Sequence, residues 1–302
     1  MNFATFKTKA GIILYGHVLN WPWRSRSERR RARGAVTEKA VSRYLERYIP
    51  AISDIPEDSM EKDCGKERIF SIWLQGEDKA PGIVRACIES IRHNCPQELV
   101  VLDEQSLQDW IRLPDHIIGK WKEGKIKPAH FADICRVELL YRYGGVWLDA
   151  TDFVTSPVPQ WIMDEDFFIY LSGNTLKGSY SFVQNCFFRS RKGSYLIKTW
   201  RAAIMAYWTS ENCAIDYFVH QLLFKLTVMN NPLAKRYFDR MPHLIQDPTH
   251  NLWWKYRDMP FDRTTFEKET SGSFFQKTEY KSEAAMHPVP GSFSDIMQNM
   301  YK

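Results

Sequence analysis

Residues 128–152, PAHFADICRVELLYRYGGVWLDATD, constrain the fold more than any other stretch of the chain. Pro128 suits the first turn of a helix and Gly144 stands just past its end, so residues 128–143 read as one helix. Gly144-Gly145 then turns the chain. Val146-Trp147-Leu148 is a short apolar run beside that turn and reads as a buried strand. The strand stops at two carboxylates, Asp149 and Asp152. Hard divalent cations take carboxylate oxygens, and Mg²⁺ or Mn²⁺ usually takes one or two of them plus substrate phosphates. The acids alone fit a turn cap equally well.

The preceding segments place this unit in a sheet. Residues 68–74, RIFSIWL, are β-branched or aromatic and predict a strand ended by Gln75-Gly76. Pro81 opens a helix whose apolar positions recur through Ile91, and Pro96 closes it. ELVVL at 98–102 predicts the next strand. A β-α-β sequence of this length is the unit of a parallel sheet, whose ligands bind beyond the carboxyl ends of the strands. Two short helical pieces around Pro114 lead to the 128–143 helix, so the first half reads β-α-β-α-α-β. Residues 36–49 predict a helix ended by Pro50, and 51–67 a polar connector. FFIYL (167–171) and SFVQNCFFR (181–189) predict strands. Residues 192–208 and 213–229 predict helices, and the chain after Pro232 reads as loop-rich and aromatic.

Composition narrows the class. With 302 residues, 44% hydrophobic and 25% charged, the chain is an ordinary globular one. Residues 24–33, RSRSERRRAR, hold six Arg and one Glu, which equals the whole formal net charge of +5. A broadly basic nucleic-acid surface is therefore not indicated. Six Cys, at 64, 87, 95, 135, 186 and 213, form no C-x-x-C pair. They read as reduced, mostly buried thiols of a cytoplasmic protein. No segment reaches the roughly 18–20 apolar residues of a membrane span, and a signal peptide is not expected. Residues 10–19, Trp21, Trp23 and the Arg run could instead hold the N-terminus on an anionic membrane face; a solvated charge run is the plainer alternative.

Asp133 and Arg136 share a face of the 128–143 helix. They could form a surface ion pair. They could also face the same ligand as Asp149 and Asp152, the Asp on ribose hydroxyls, the Arg on a phosphate, and the acids on a metal that holds a diphosphate. That is the layout a sugar-nucleotide site needs. Asn185 and Asp216 are the candidates for a polar group beneath a sugar ring. Asp216, flanked by Ile215, Tyr217 and Phe218, is expected to face a cleft or a partner if buried.

The run FADICRVELLYRYGGVWLDATD resembles the DXD region of the family 32 glycosyltransferases, in particular their capsular polysaccharide synthesis branch. IFSIWLQGEDKAPGIVRACIESIRHNCP is similar to their first strand, loop and helix. The resemblance implies a GT-A-type, Rossmann-like α/β fold with a mostly parallel sheet. It also implies a nucleoside-diphosphate sugar donor, most often a UDP-sugar, a divalent metal (Mn²⁺ or Mg²⁺), and retention of configuration at the transferred carbon. It places Trp73 on the nucleobase and Gln75 beside it. It places Asp133 and Arg136 on sugar and ribose hydroxyls, with Trp147 at the nucleotide and Asp149 as the first acid of the motif. The second acid would be residue 151, which is Thr151, with Asp152 one place later. Either could complete the metal shell, and Asp152 could instead support the metal ligands from behind or cap a turn. Relatives place a further ligand near a C-terminal Ser-Trp. Here the looser match HPVPGSF offers His287 to the metal and Ser292 to the metal or diphosphate.

The expected organisation is an N-terminal basic helical segment (1–66) and one catalytic domain (67–302). Within that domain, 67–160 bind the nucleotide sugar and 161–302 form the acceptor side. The expected activity is sugar transfer to a growing capsular or other surface glycan, which could be lipid-linked, at the cytoplasmic side of the membrane. Transfer to protein side chains, a non-catalytic sugar-nucleotide binder suggested by Thr151, and a metal-dependent phosphohydrolase are the alternatives.

Overall fold

The computed structural model describes residues 3–18, 26–57, 67–173 and 180–301. Trp21, Trp23 and Cys64 lie outside them, so the readings placed on those residues do too. Five strands make the main sheet: β1 (Arg68–Ile72), β2 (Glu98–Leu102), β3 (Gly145–Leu148), β5 (Phe167–Leu171) and β6 (Val183–Ser190), in the order β2-β1-β3-β6-β5. β1 pairs in parallel with both β2 and β3. β6 runs antiparallel to β3 and to β5. Four of the five strands therefore point one way and β6 alone is reversed, which is the α/β, mostly parallel sheet expected from the sequence. A separate two-stranded ribbon joins β4 (Asp152–Val154) to β7 (Phe275–Lys277), antiparallel, with Asp152 opposite Lys277.

Fifteen α-helices among the described residues surround these strands. The first seven are α1 (Phe3–Val18), α2 (Arg26–Leu45), α3 (Pro50–Ser53), α4 (Gly82–Asn94), α5 (Leu107–Trp110), α6 (Asp115–Lys122) and α7 (Pro128–Tyr143). Next come α8 (Gln160–Met163), α9 (Tyr195–Ser210), α10 (Val219–Asn230) and α11 (Pro232–Arg240). The last four are α12 (Asn251–Tyr256), α13 (Arg263–Thr270), α14 (Glu283–Met286) and α15 (Phe293–Asn299). None is long and apolar enough to cross a membrane.

Three expectations need correction. Pro50 opens α3 rather than only ending a helix, because its fixed φ suits a first helical turn. The segment expected to be helical from 213 begins helix only at Val219. The chain after Pro232 also carries, between its loops, five short helices whose caps include Asn231, Asp262, Ser282 and Ser292. Polar residues that read as loop signals are N-caps there.

α7 is buried nearly all round, from His130 to Leu140. Gly144 (φ +68) and Gly145 (φ +97) then turn the chain into β3. A side chain at 145 would meet the Arg68 carbonyl oxygen at 2.4 Å, so the close pairing of β3 with β1 requires glycine. The larger core packs β1, β3, β5 and β6 against α7, α9 and α10. A second core joins Ile83, Val84, Cys87 and Ile88 of α4 to Ala150 and Phe153. Leu252, Trp253, Phe293 and Met297 close it from the C-terminal part. The end of the chain thus packs back against the segment that follows β3. Cys87, Cys95, Cys135, Cys186 and Cys213 are free thiols, the first four buried.

Candidate functional site

The chain leaves β1 for β2 on one side and returns to β3 on the other, so the crevice beyond β1 and β3 is the switch point of the sheet. Phe70 stands beside Trp147 in the pairing, which sets Trp73 and Asp149 at the same edge. The turn after Leu148 fixes the acids. The Asp149 N–H donates to the Cys186 carbonyl at 2.9 Å and to Asp152 Oδ2 at 3.1 Å. Asp152 therefore does cap the turn, one of the roles expected for it. Its other oxygen, Oδ1, lies 3.1 Å from Lys277 Nζ.

Lys277, which no local sequence signal marks, sits at the centre of the acids. Its ammonium donates to Asp149 Oδ2 and to Thr151 Oγ1, both at 2.7 Å. Asp149 Oδ1 accepts from Trp147 Nε1 at 2.8 Å and lies 3.2 Å from Arg136 Nη1. Arg136 Nη2 is 3.2 Å from Asp133 Oδ1, and Asn185 Nδ2 donates to that same oxygen at 2.7 Å. Gln221 Nε2 in turn donates to Asn185 Oδ1 at 3.0 Å. Acid and base alternate along one chain of contacts: Asp133, Arg136, Asp149, Lys277, Asp152. The surface ion pair considered for Asp133 and Arg136 does not occur; both are buried.

His220 closes the far end. The Trp208 indole N–H donates to His220 Nε2 at 2.8 Å, which leaves the proton on Nδ1, 3.5 Å from Asp133 Oδ2. Burial, with His130 and Arg136 adding to it, keeps this imidazole neutral. Burial also pushes the Asp133 carboxyl up, against the pull of Arg136. At Asp149 burial acts the same way but Arg136 and Lys277 outweigh it, so the group is held below the usual carboxylate range. At Asp152 burial wins over Lys277 and lifts the carboxyl to about 7. Side-chain exposure is 23% at Asp149 and 18% at Lys277 against 0% at Asp152, so solvent reaches the first two and not the third.

The other expected residues are placed as follows. Trp147 is fully buried, its indole on Asp149 and its ring 4.7 Å from the Arg136 guanidinium carbon, so it holds both from behind. Trp73 is half-buried, edge-to-face with Tyr280 at 5.0 Å, and its indole N–H is buried without a hydrogen-bond partner. Gln75 is exposed in the turn before Gly76. Asp216 lies apart from the acid–base chain, accepting from the Tyr180 hydroxyl at 2.7 Å and from the Phe218 N–H at 2.9 Å. It is thus a turn residue before α10, not an acid inside a buried helix. Ser292 is spent capping α15, and His287 is exposed at the end of α14.

The expected metal donors were Asp149, Thr151, Asp152 and His287. The first three do converge, but on an ammonium. Among the described residues, no group of three or more His, Cys, Asp or Glu is placed to hold a metal ion. As they stand, the residues do not fit a divalent cation: the position between the oxygens belongs to Lys277. Nothing local announces that lysine. It lies 126 residues past Thr151 in an alternating strand, FQK, and only the pairing of β4 with β7 carries it to the acids.

A mostly parallel sheet with one reversed strand, and a polar cluster beyond the carboxyl ends of β1 and β3, define a Rossmann-like α/β protein consistent with the GT-A fold. Residues 21–293 match the family described as Capsular polysaccharide synthesis protein, and the chain belongs to that family. It is also similar to Glycosyltransferase afumC of Aspergillus fumigatus (strain CBS 144.89 / FGSC A1163 / CEA10), 25% identical over 212 residues, which is 65% of this chain and 54% of that one. O-glycosyltransferase braB of Annulohypoxylon truncatum is 22% identical over 215 residues, 66% of this chain and 48% of its own. The chain spans about half the length of the curated relatives it matches.

Proposed function

We propose that the protein is a glycosyltransferase of the family 32 type, taking a sugar from a nucleoside-diphosphate donor, UDP-linked in the first instance. The observation that carries the reading is the polar chain from Asp133 to Lys277 at the switch point of the sheet, with its exposed end at Asp149 and Lys277. Family membership and the two glycosyltransferase relatives support it. The half-buried Trp73 offers a ring to the base, and its unpaired indole N–H a donor. Asp133, oriented by Asn185 and Arg136, faces sugar hydroxyls. Asp149 and Thr151 take the place of the family's DXD acids. Gln75 lies on the nucleotide side.

Transfer with retention needs positioning and charge stabilisation more than covalent chemistry from the protein. The bond from the anomeric carbon to the distal phosphate oxygen breaks, and its electron pair stays on that oxygen. The acceptor hydroxyl oxygen bonds to the same face of the carbon, and its proton passes to the departing phosphate. Asn185 stands beside Asp133 at the sugar end of this path.

The acceptor is a growing capsular or other surface glycan, at the cytoplasmic face of the membrane. Phe6, Ile13 and Leu14 of α1 are exposed, which suits peripheral contact with lipid. Transfer to a protein side chain is the second reading; the printed name of one relative, an O-glycosyltransferase, favours it.

A panel of UDP-, GDP- and dTDP-sugars, scored for release of the nucleoside diphosphate, tests the reading. Release from at least one donor, lost in Asp149→Ala, is expected. A panel in which no sugar nucleotide is bound or cleaved would remove it.

A further inference from the structure

We infer that the Lys277 ammonium is the resident cation of this site and stabilises the departing diphosphate in place of a divalent metal. The inference rests on the glycosyltransferase reading for the identity of its ligand, but its geometry stands alone. Three oxygens from the β3–β4 turn, Asp149 Oδ2, Thr151 Oγ1 and Asp152 Oδ1, lie 2.7, 2.7 and 3.1 Å from one nitrogen. Hard-metal donors of this kind normally surround an ion. Here they surround a side chain that the fold itself delivers, because Asp152 and Lys277 are directly opposed across the β4–β7 ribbon. Thr151 is bonded into the same ribbon, its carbonyl accepting from Thr278 N at 2.8 Å and from Thr278 Oγ1 at 2.9 Å.

The exchange explains the sequence. A second acid at position 151 would add a third carboxylate to one ammonium, whereas a hydroxyl accepts one N–H and adds no charge. Asp133, Asp149 and Asp152 face Arg136 and Lys277, and burial raises two of the three carboxyls, so the cluster keeps little net charge and does not call for a further doubly charged ion. Lys277 spends two of its three N–H donors in hydrogen bonds. Its contact with Asp152 Oδ1, at 3.1 Å, is the longest of the three. A phosphate oxygen at the partly exposed edge of the cluster would take over that third N–H. Arg136 stands on the other side of Asp149 and supplies the second positive charge. In the transfer, the electron pair of the broken carbon–oxygen bond settles on a phosphate oxygen facing this ammonium. No oxidant or further reactant enters.

The test uses the full chain and Mn²⁺ as the probe. Paramagnetic resonance counts free and bound Mn²⁺, and donor cleavage is followed with and without a chelator. Wild-type protein is expected to leave Mn²⁺ free and to cleave donor equally well in chelator. Lys277→Ala opens the oxygen cage. It is expected to lose about 100-fold in turnover under chelator and to acquire Mn²⁺ binding that Asp149→Ala removes again. Lys277→Arg keeps a cation and is expected to stay insensitive to chelator. Stoichiometric Mn²⁺ binding by the wild type through Asp149, or turnover lost in chelator and restored by Mn²⁺, would overturn the inference. If Lys277→Ala does not fold, the wild-type titration decides alone. A protein that cleaves no sugar nucleotide defeats the glycosyltransferase reading, while its Mn²⁺ titration still reports on Lys277.

Discussion

α7 carries two buried carboxylates five positions apart, and they are treated in opposite ways. Glu138 is clamped between two arginines, Arg142 Nε at 2.6 Å and Arg201, whose Nε and Nη2 both reach it. Both of its oxygens are bonded, and the cations come from helix surfaces. Asp133 opens the alternating chain that runs through Arg136 and Asp149 to Lys277. That chain leaves polar atoms unspent: Arg136 Nε and, at its edge, the Trp73 indole N–H. A buried polar atom without a partner costs on the order of 1–3 kcal/mol. Glu138 thus joins helices, while the Asp133 chain keeps unmet capacity at the mouth of the sheet, as a ligand site does.

If the two clusters differ in this way, charge removal should separate them. Of the α7 pair, Asp133→Asn is expected to have the larger effect on turnover. Donor turnover per folded molecule falls roughly 100-fold, because Arg136, Asn185 and His220 lose their common anion. Steady-state kinetics beside a circular dichroism spectrum would check this, and unchanged kinetics would erase the distinction. Glu138→Gln should do the reverse, costing about 2 kcal/mol in denaturant unfolding with turnover per folded molecule kept.

A third outcome concerns a residue outside the two clusters. Burial holds the His250 imidazole down at about 4, from 6.5 when free, with Lys277 assisting. The unfolded chain takes up this proton near 6.5 and the folded protein does not until about 4. The stability from the neutral ring is therefore present above 6.5 and is lost as pH falls toward 4. By pH 5 the loss is about 2 kcal/mol. His250→Gln, which has no such proton to bind, should show a flatter fall between pH 7 and 5 than the wild type, read by thermal melting; parallel curves would refute it. The smallest effect is expected at the nucleotide edge. Trp73→Leu should raise the donor KM about tenfold with kcat little changed, since a stacked base binds equally in ground and transition states. A fall in kcat alone would place Trp73 elsewhere.

The parts that sequence made legible were those whose signals are local. Pro128 and Gly144 bracket α7 residue for residue, and ELVVL is β2, because proline and glycine fix backbone geometry wherever they stand. Asp133, Arg136, Asn185 and Asp149 come together because the helix–turn–strand unit and β6 bring them there. Lys277, His220 and Gln221 were not legible. Their roles follow from β7 pairing with β4 and from α10 crossing behind β6, contacts between segments far apart in the chain. His287 and Ser292 drew attention through a loose motif, and Ser292 proved to be a helix cap. The hydroxyl of a serine reads the same in either role until its backbone partner is known.

The measurement that bears most directly on the account is donor cleavage per folded molecule for wild type, Asp149→Asn and Glu138→Gln, run side by side on the sugar nucleotide the panel selects. The account predicts a well-folded Asp149→Asn reduced about 1,000-fold, and a less stable Glu138→Gln that turns over at the wild-type rate. Undiminished cleavage by Asp149→Asn, or an equal loss in both variants, would contradict it.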